Sequence, residues 1–168
     1  DGWKVNEAAN KVARVEEGKI VAAGPRAHIF YVGDVSGGKF TNFEFRAKVF
    51  IHPGSNSGIY FHAKYQDKGW PLAQGYEAQV CSNNYCDPKK TGSVYGYKNL
   101  DKSAAPDGEW FDYSIKVQGN KIETIINGKS AAAHTDSADK PRLLGGTFAL
   151  QCHDPKSVVE YHTIRVKV

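Results

Sequence analysis

Apolar residues return at every second position in run after run of this chain, and that period of two limits its fold more than any other feature. In "NFEFRAKVFI", Phe43, Phe45, Ala47, Val49 and Ile51 share one phase, while Asn42, Glu44, Arg46 and Lys48 share the other. Successive side chains of a β-strand point to opposite faces, so the segment reads as a strand with one buried and one wet face. "EWFDYSIKV" repeats the pattern with Phe111, Tyr113, Ile115 and Val117. "KIETII" and "KSAAA" flank Asn127-Gly128, the pair best suited to a two-residue hairpin turn with positive φ. "KIVAA", "HIFYV", "GGTFALQC" and "VVEYHTIRVKV" supply further strands. No amphipathic helix of any length competes, although "HTDSADKPRLLGG" has room for a single helical turn.

About ten strands separated by Gly, Pro, Asn and Asp clusters predict an all-β sandwich or jelly roll. With 168 residues and no linker composition, residues 1–168 read as one domain large enough to bury a core unaided. No apolar run approaches the length of a membrane span. The formal charge of +4 comes from scattered lysines, with only Lys89 and Lys90 adjacent, so it reads as a solvated surface and not as a nucleic-acid stripe.

Cys81 and Cys86 form C-x4-C in "CSNNYC", and Cys152 stands alone in an apolar run, where it reads as a small buried hydrophobe. Zinc would want a second pair, or histidines at ligand spacing, and neither is near. A Cys81–Cys86 disulfide is therefore expected over two free thiols. It favours the periplasm or the extracellular space, with the opening "DGWKV" read as a chain whose export signal has been removed.

Two further strands, "SGIYFHAKY" and "GYEAQV", carry the chemistry. Ile59, Phe61, Ala63 and Tyr65, then Tyr76, Ala78 and Val80, fall on the core phase. Tyr60, His62 and Lys64, then Glu77 and Gln79, fall on the opposite one. A carboxylate on such a face either meets open solvent or lines a groove.

The ordered motifs "NFEFRAKVFI", "PGSNSGIYFHAKY", "GYEAQV", "TGSVYG", "GEWFDYSIKVQGNKIETIINGK" and "GGTFALQCHDPKSVVEYHTIRVKV" closely resemble the 3-keto-disaccharide hydrolase domain from Phe40 onward. The resemblance implies a concanavalin- or laminarinase-like jelly roll of two antiparallel sheets, with a sugar site on the concave one. It makes Glu77, in the intact G-Y-E-x-Q motif, the first candidate for a catalytic base. It also departs at His62, where the family commonly has arginine.

Laminarinase-type glucanases place their acids as E-x-D-x-x-E. Here that frame reads Glu77-Ala78-Gln79-Val80-Cys81-Ser82, so the motif does not supply the paired carboxylates of a direct glycosidase. Asp67 and Asp87 are loop carboxylates between which the sequence does not choose. A 3-keto sugar removes the need for a pair, because its carbonyl acidifies the C2 hydrogen and one base then suffices. The expected function is thus a glycoside hydrolase or lyase acting on 3-keto-glycosides; the alternative is a non-catalytic carbohydrate-binding module on the same fold.

Glu77, His62 and His153 are the catalytic candidates, and Asn56, Tyr60, Trp70, Gln79, Tyr95 and Lys98 the substrate-binding ones. A divalent cation is the one cofactor considered, with His153 and Asp154 as its weakly indicated ligands. The expected partner is an oligosaccharide or glycoside.

Overall fold

The structure, a computed structural model, describes residues 2–168. Its strands in chain order are β1 (Trp3–Val5), β2 (Arg14–Glu16), β3 (Lys19–Ala23), β4 (Ala27–Tyr31), β5 (Phe43–Ile51) and β6 (Asn56–Ala63). They continue as β7 (Tyr76–Cys81), β8 (Trp110–Gln118), β9 (Lys121–Ile126), β10 (Lys129–Thr135), β11 (Thr147–Cys152) and β12 (Val158–Lys167). Five form one sheet in the order β1-β4-β11-β6-β7, and seven form a second in the order β10-β9-β8-β5-β12-β3-β2. Every neighbouring pair is antiparallel. This is the expected jelly-roll sandwich, and no helix among the described residues is long and apolar enough to cross a membrane.

The core lies between the sheets. Phe43, Phe45, Ala47, Val49 and Ile51 of β5 meet Ile59, Phe61, Tyr76, Ala78 and Val80 of β6 and β7 there, as the alternation requires. On the far side of β5, Arg46 and Lys48 are exposed. The hairpin turn forms with Asn127 and Gly128 at φ of 49° and 77° and Ile126 paired to Lys129. The single helical turn of the "PRLL" segment is a 3-10 turn at Pro141–Leu144.

The five-stranded sheet behaves differently from its partner. Every residue of β6, β7 and β11 is buried, on both faces. The face assigned to water by alternation is covered by the β6–β7 connection (64–75) and the long β7–β8 connection. The latter adds backbone beyond β7: Gln79 N donates to the Ser93 carbonyl (2.9 Å), and Tyr95 N donates to that of Glu77 (2.9 Å).

One register irregularity relocates a candidate. β11 pairs Ala149 with Tyr60 but Thr147 with Ala63, so Phe61 and His62 share one position opposite Phe148. His62 occupies the bulge with φ of 51°, which switches the alternation. Its ring therefore leaves the Tyr60 side. Nε2 donates to the Thr41 carbonyl (2.8 Å), and the ring lies 5.7 Å from that of Phe43. Burial lowers its pKa. His62 is thus a packing residue beneath the sheet, and Lys64 and Tyr65 fall beyond the strand's end.

The cysteine expectation is also corrected. All three cysteines are free thiols. Cys81 ends β7 fully buried, with the Lys90 ammonium 4.0 Å from its Sγ, whereas Cys86 is carried to the surface by the loop. Burial pushes the Cys81 thiol up to about 12. The cysteine argument for an oxidising compartment accordingly falls away. Cys152 packs in the core, as expected.

Phe148 joins the two sheets, its ring 4.7 Å from Phe40, 4.9 Å from Phe43 and 5.0 Å from Phe45. Truncation to alanine removes these contacts and leaves a cavity, so Phe148→Ala is expected to lower unfolding stability by about 3–5 kcal/mol in urea titrations.

Candidate functional site

Residues of alternate phase on three neighbouring strands converge on one cleft of 230 Å³ over the outer face of the five-stranded sheet. Asn56 and Tyr60 come from β6, Glu77 and Gln79 from β7, and Gln151 from β11. Tyr60 and Glu77 are direct cross-strand partners. Loops build the walls: Trp70 and Leu72 from the β6–β7 connection, Asp87 and Tyr95 from the β7–β8 connection, and His153 just past β11. The volume lies below the roughly 300–1,000 Å³ usual for drug-sized ligands and suits a single sugar ring.

Glu77 is the centre. It is 3% exposed, and its carboxyl has no ion-pair partner among the described residues. Gln151 Nε2 donates both to Glu77 Oε1 (3.1 Å) and to the Tyr60 hydroxyl (2.8 Å). The Tyr60 hydroxyl, which accepts from the same amide, belongs to the cross-strand partner of Glu77 and helps to lower the Glu77 pKa. Desolvation outweighs this support and raises the Glu77 pKa to about 8, with Asp87 adding like-charge repulsion. The carboxyl fits because position 58 is glycine. A Cβ there would meet Glu77 Cγ and Cδ at 2.9 Å, so the N-S-G glycine makes room for the acid itself.

The floor is rich in acceptors. Gln79 Nε2 donates to the Lys89 carbonyl (3.0 Å), which fixes the amide and leaves Oε1 buried without a partner. Asn56 Oδ1 and Gln151 Oε1 are buried and unpartnered as well. Three amide oxygens beside one carboxyl call for a ligand with several donors, such as hydroxyl groups.

His153 stands at the rim within a second network. Its Nδ1 donates to Asp154 Oδ2 (3.0 Å), and the same oxygen accepts from Tyr85 (2.9 Å) and Ser157 (2.8 Å). Although burial alone would raise it, these bonds together hold Asp154 down at about 2. The imidazole is thus oriented, with Nε2 as its remaining nitrogen. For a divalent cation the pair offers two side chains already bonded to each other. No group of three or more His, Cys, Asp or Glu that could hold a metal occurs among the described residues.

Of the sequence candidates, Glu77, His153, Asn56, Tyr60, Gln79, Tyr95 and Trp70 line this cleft. His62 does not, because of its bulge. Lys98 does not either: it returns from the tight turn that pairs Val94 with Lys98, and its side chain is exposed. Asp87 is the loop carboxylate brought in, while Asp67 stays in solvent. Gln151 and Leu72 were not foreseen. Gln151 carried a readable signal, a polar residue alternating with apolar Leu150 and Cys152, as Glu77 does with Tyr76 and Ala78.

Because the folded-state pKa of Glu77 lies above its unfolded value, the protein is most stable, as far as this group goes, below about pH 4.5. It loses that stability as pH rises through about 8. Glu77→Gln removes the buried charge, so thermal unfolding should show the variant more stable above pH 8, by up to a few kcal/mol. The difference should vanish near pH 4.5.

Solved structures share this architecture. Two crystal structures from Parabacteroides distasonis, of proteins provisionally named glycosyl hydrolases, superimpose with TM-scores of 0.79 and 0.77 at 22% and 19% identity. Each covers 99% of this chain, which spans 88% and 99% of theirs. Carbohydrate-binding module CBM66 from Bacillus subtilis superimposes with a TM-score of 0.70 at 13% identity, covering 99% of this chain and 96% of its own. At such identities the likeness shows the fold. No curated protein matches the sequence. The model of one family, however, matches residues 1–167, and the chain belongs to it: the 3-keto-alpha-glucoside-1,2-lyase-like domain family.

Proposed function

We propose that the protein cleaves 3-keto-glycosides by abstracting the C2 proton, with Glu77 as base. The observation that carries this reading is a single fully enclosed carboxyl with a pKa near 8, set in a sugar-sized cleft among unpartnered hydrogen-bond acceptors. A general base works best when its pKa lies close to the operating pH, and an ordinary carboxylate is too weak. Burial makes Glu77 a stronger one, with a minor but usable ionised fraction at neutrality.

In the proposed reaction the C2–H bond breaks and its proton passes to the Glu77 carboxylate. The electron pair forms an enolate with the C3 carbonyl. The enolate then collapses to expel the C1 substituent, whose oxygen keeps the bonding pair and takes up a proton. His153, held by Asp154 through Nδ1, is the rim group suited to supply it. Water adding across the resulting C1–C2 double bond completes a net hydrolysis; release without it makes the protein a lyase. The Tyr60 hydroxyl and the Gln151 amide share the charge Glu77 carries while ionised. No step passes through a metal.

The binding-module reading has its own support: the acceptor floor would hold a sugar without any chemistry, and CBM66 shares the fold. Turnover separates the two. Methyl 3-keto-α-glucoside should lose its methoxy group while methyl α-glucoside stays intact, with C2–H exchange visible by NMR in deuterated buffer. The rate should rise with pH through an apparent pKa of about 8. Glu77→Gln should lower it by about 10²–10⁴-fold. Binding of either sugar without exchange or cleavage would favour the module.

A further inference from the structure

The reaction above gives no task to Tyr85, although its hydroxyl reaches the group suited to act as acid. Tyr85 lies in "CSNNYC", on the β7–β8 connection, while His153 and Asp154 lie on the turn between β11 and β12. Its Oη donates to Asp154 Oδ2 (2.9 Å) and hydrogen-bonds His153 Nδ1 (3.0 Å), so the carboxylate and the phenol share the Nδ1–H. Burial and the Asp154 carboxylate raise its pKa, so the hydroxyl keeps its proton and remains a donor. The phenol ring meets the imidazole edge-on at 5.4 Å between centroids, and the Trp70 indole lies 5.4 Å away as well.

Asp154 does not need this phenol. Its Oδ1 accepts from the backbone N–H groups of Lys156 (2.9 Å) and Ser157 (3.2 Å), and its Oδ2 accepts from Ser157 Oγ (2.8 Å) as well as from His153. All of these groups belong to the one turn, 153–157, and fix the imidazole relative to that turn alone. Among the described residues, Tyr85 alone hydrogen-bonds the ring from another element. The phenol is itself held in place. Lys90 is 6% exposed, and its ammonium donates to the carbonyls of Tyr85 (2.7 Å) and Ser82 (3.1 Å). Tyr85 N also donates to the Ser82 carbonyl (3.1 Å). Charge-assisted bonds of this kind make the segment a firm base, and the same connection brings Asp87 and Tyr95 to the cleft. Tyr85 thus ties one wall of the cleft to the turn that carries His153.

We propose that Tyr85 is a positioning residue: its hydroxyl holds the His153 ring with Nε2 toward the glycosidic oxygen, and so serves expulsion of the leaving group but not abstraction of the C2 proton. The assignment rests on the lyase reading of the site. In the expulsion step an imidazolium gives its Nε2 proton to the leaving oxygen as the C1–O bond breaks and the bonding pair goes to that oxygen. The neutral imidazole left behind keeps its Nδ1–H, held by Asp154 and Tyr85. A ring free to turn would carry Nε2 off that line, and a general acid contributes only within hydrogen-bond reach of the atom it protonates.

Tyr85→Phe tests this, because it removes Oη and keeps the ring against the imidazole. Three rates are read in deuterated buffer: C2–H exchange, methanol release from methyl 3-keto-α-glucoside, and nitrophenol release from 4-nitrophenyl 3-keto-α-glucoside. Nitrophenolate leaves without a proton, so among these only the methanol rate depends on the acid. That rate should fall roughly tenfold, with exchange and nitrophenol release within about twofold of wild type. In a His153→Gln background, adding Tyr85→Phe should cost nothing more, since the phenol acts through the imidazole. Equal losses in all three rates, no loss in any, or a full further loss in the double variant would overturn the proposal. Should neither 3-keto compound react with the wild type, the lyase reading fails, and proton NMR of the free protein decides the positioning. The His153 Nδ1–H signal should exchange with water about tenfold faster in Tyr85→Phe, the worth of one hydrogen bond, and an unchanged rate would overturn it.

Discussion

Holding a carboxyl group away from water is the constraint on which this site depends. Glu77 lies on β7, the edge strand of its sheet, covered by loops, with the Gln151 amide as hydrogen-bond partner, the Tyr60 phenol opposite it and no cation in an ion pair with it. Ionising it there is costly, and the cost appears as a raised pKa. The same cost is a debit against folding at neutral and alkaline pH. Replacing it by a neutral isostere would relieve the fold, so a structural role does not account for it. An acid retained at the expense of stability belongs with function.

The two sheets divide the labour. The seven-stranded sheet keeps a wet face, shown by exposed Arg46 and Lys48 on β5, and serves as the back of the sandwich. The five-stranded sheet offers its outer face to the two connections that follow β6 and β7, and these roof the strands from which the polar side chains rise. The floor is thereby fixed by ladder hydrogen bonds and the β7–β8 wall by further backbone bonds to β7, while the β6–β7 wall is anchored by only a few polar contacts. Rigid placement of Glu77 and a less firmly tied wall beside it thus arise from different parts of the chain.

Alternation alone told most of this. The core phases of β5 to β8 were legible, and so was the placement of Tyr60, Glu77 and Gln79 on one face, because a strand leaves no other choice. It failed at His62, where one residue at positive φ reverses the phase; nothing in "YFHAK" announces a bulge, since the hydrophobic pattern on either side remains plausible. Loop residues were equally opaque. Asp67 and Asp87 look alike in sequence, and only the path of the β7–β8 connection separates them. The cysteines misled because sequence proximity says nothing of direction: Cys81 points inward from a strand end, Cys86 outward from a loop.

On the proposed reading the base works alone, and the positions where a two-carboxylate glucanase keeps its other acids explain why. At the second position stands Gln79, whose amide is pinned to the Lys89 carbonyl. At the third stands Ser82, whose hydroxyl is bound to Asp107. Neither brings negative charge to Glu77. A carboxylate at position 79 would add like-charge repulsion to desolvation, the two effects that already act through burial and Asp87, and would keep Glu77 protonated at working pH. Neutral amides avoid this, and they still accept hydrogen bonds from the ligand. On the proposed reading, the acidity that a second carboxyl would have supplied comes from the substrate's own ketone, and the site is arranged around not needing the acid it lacks.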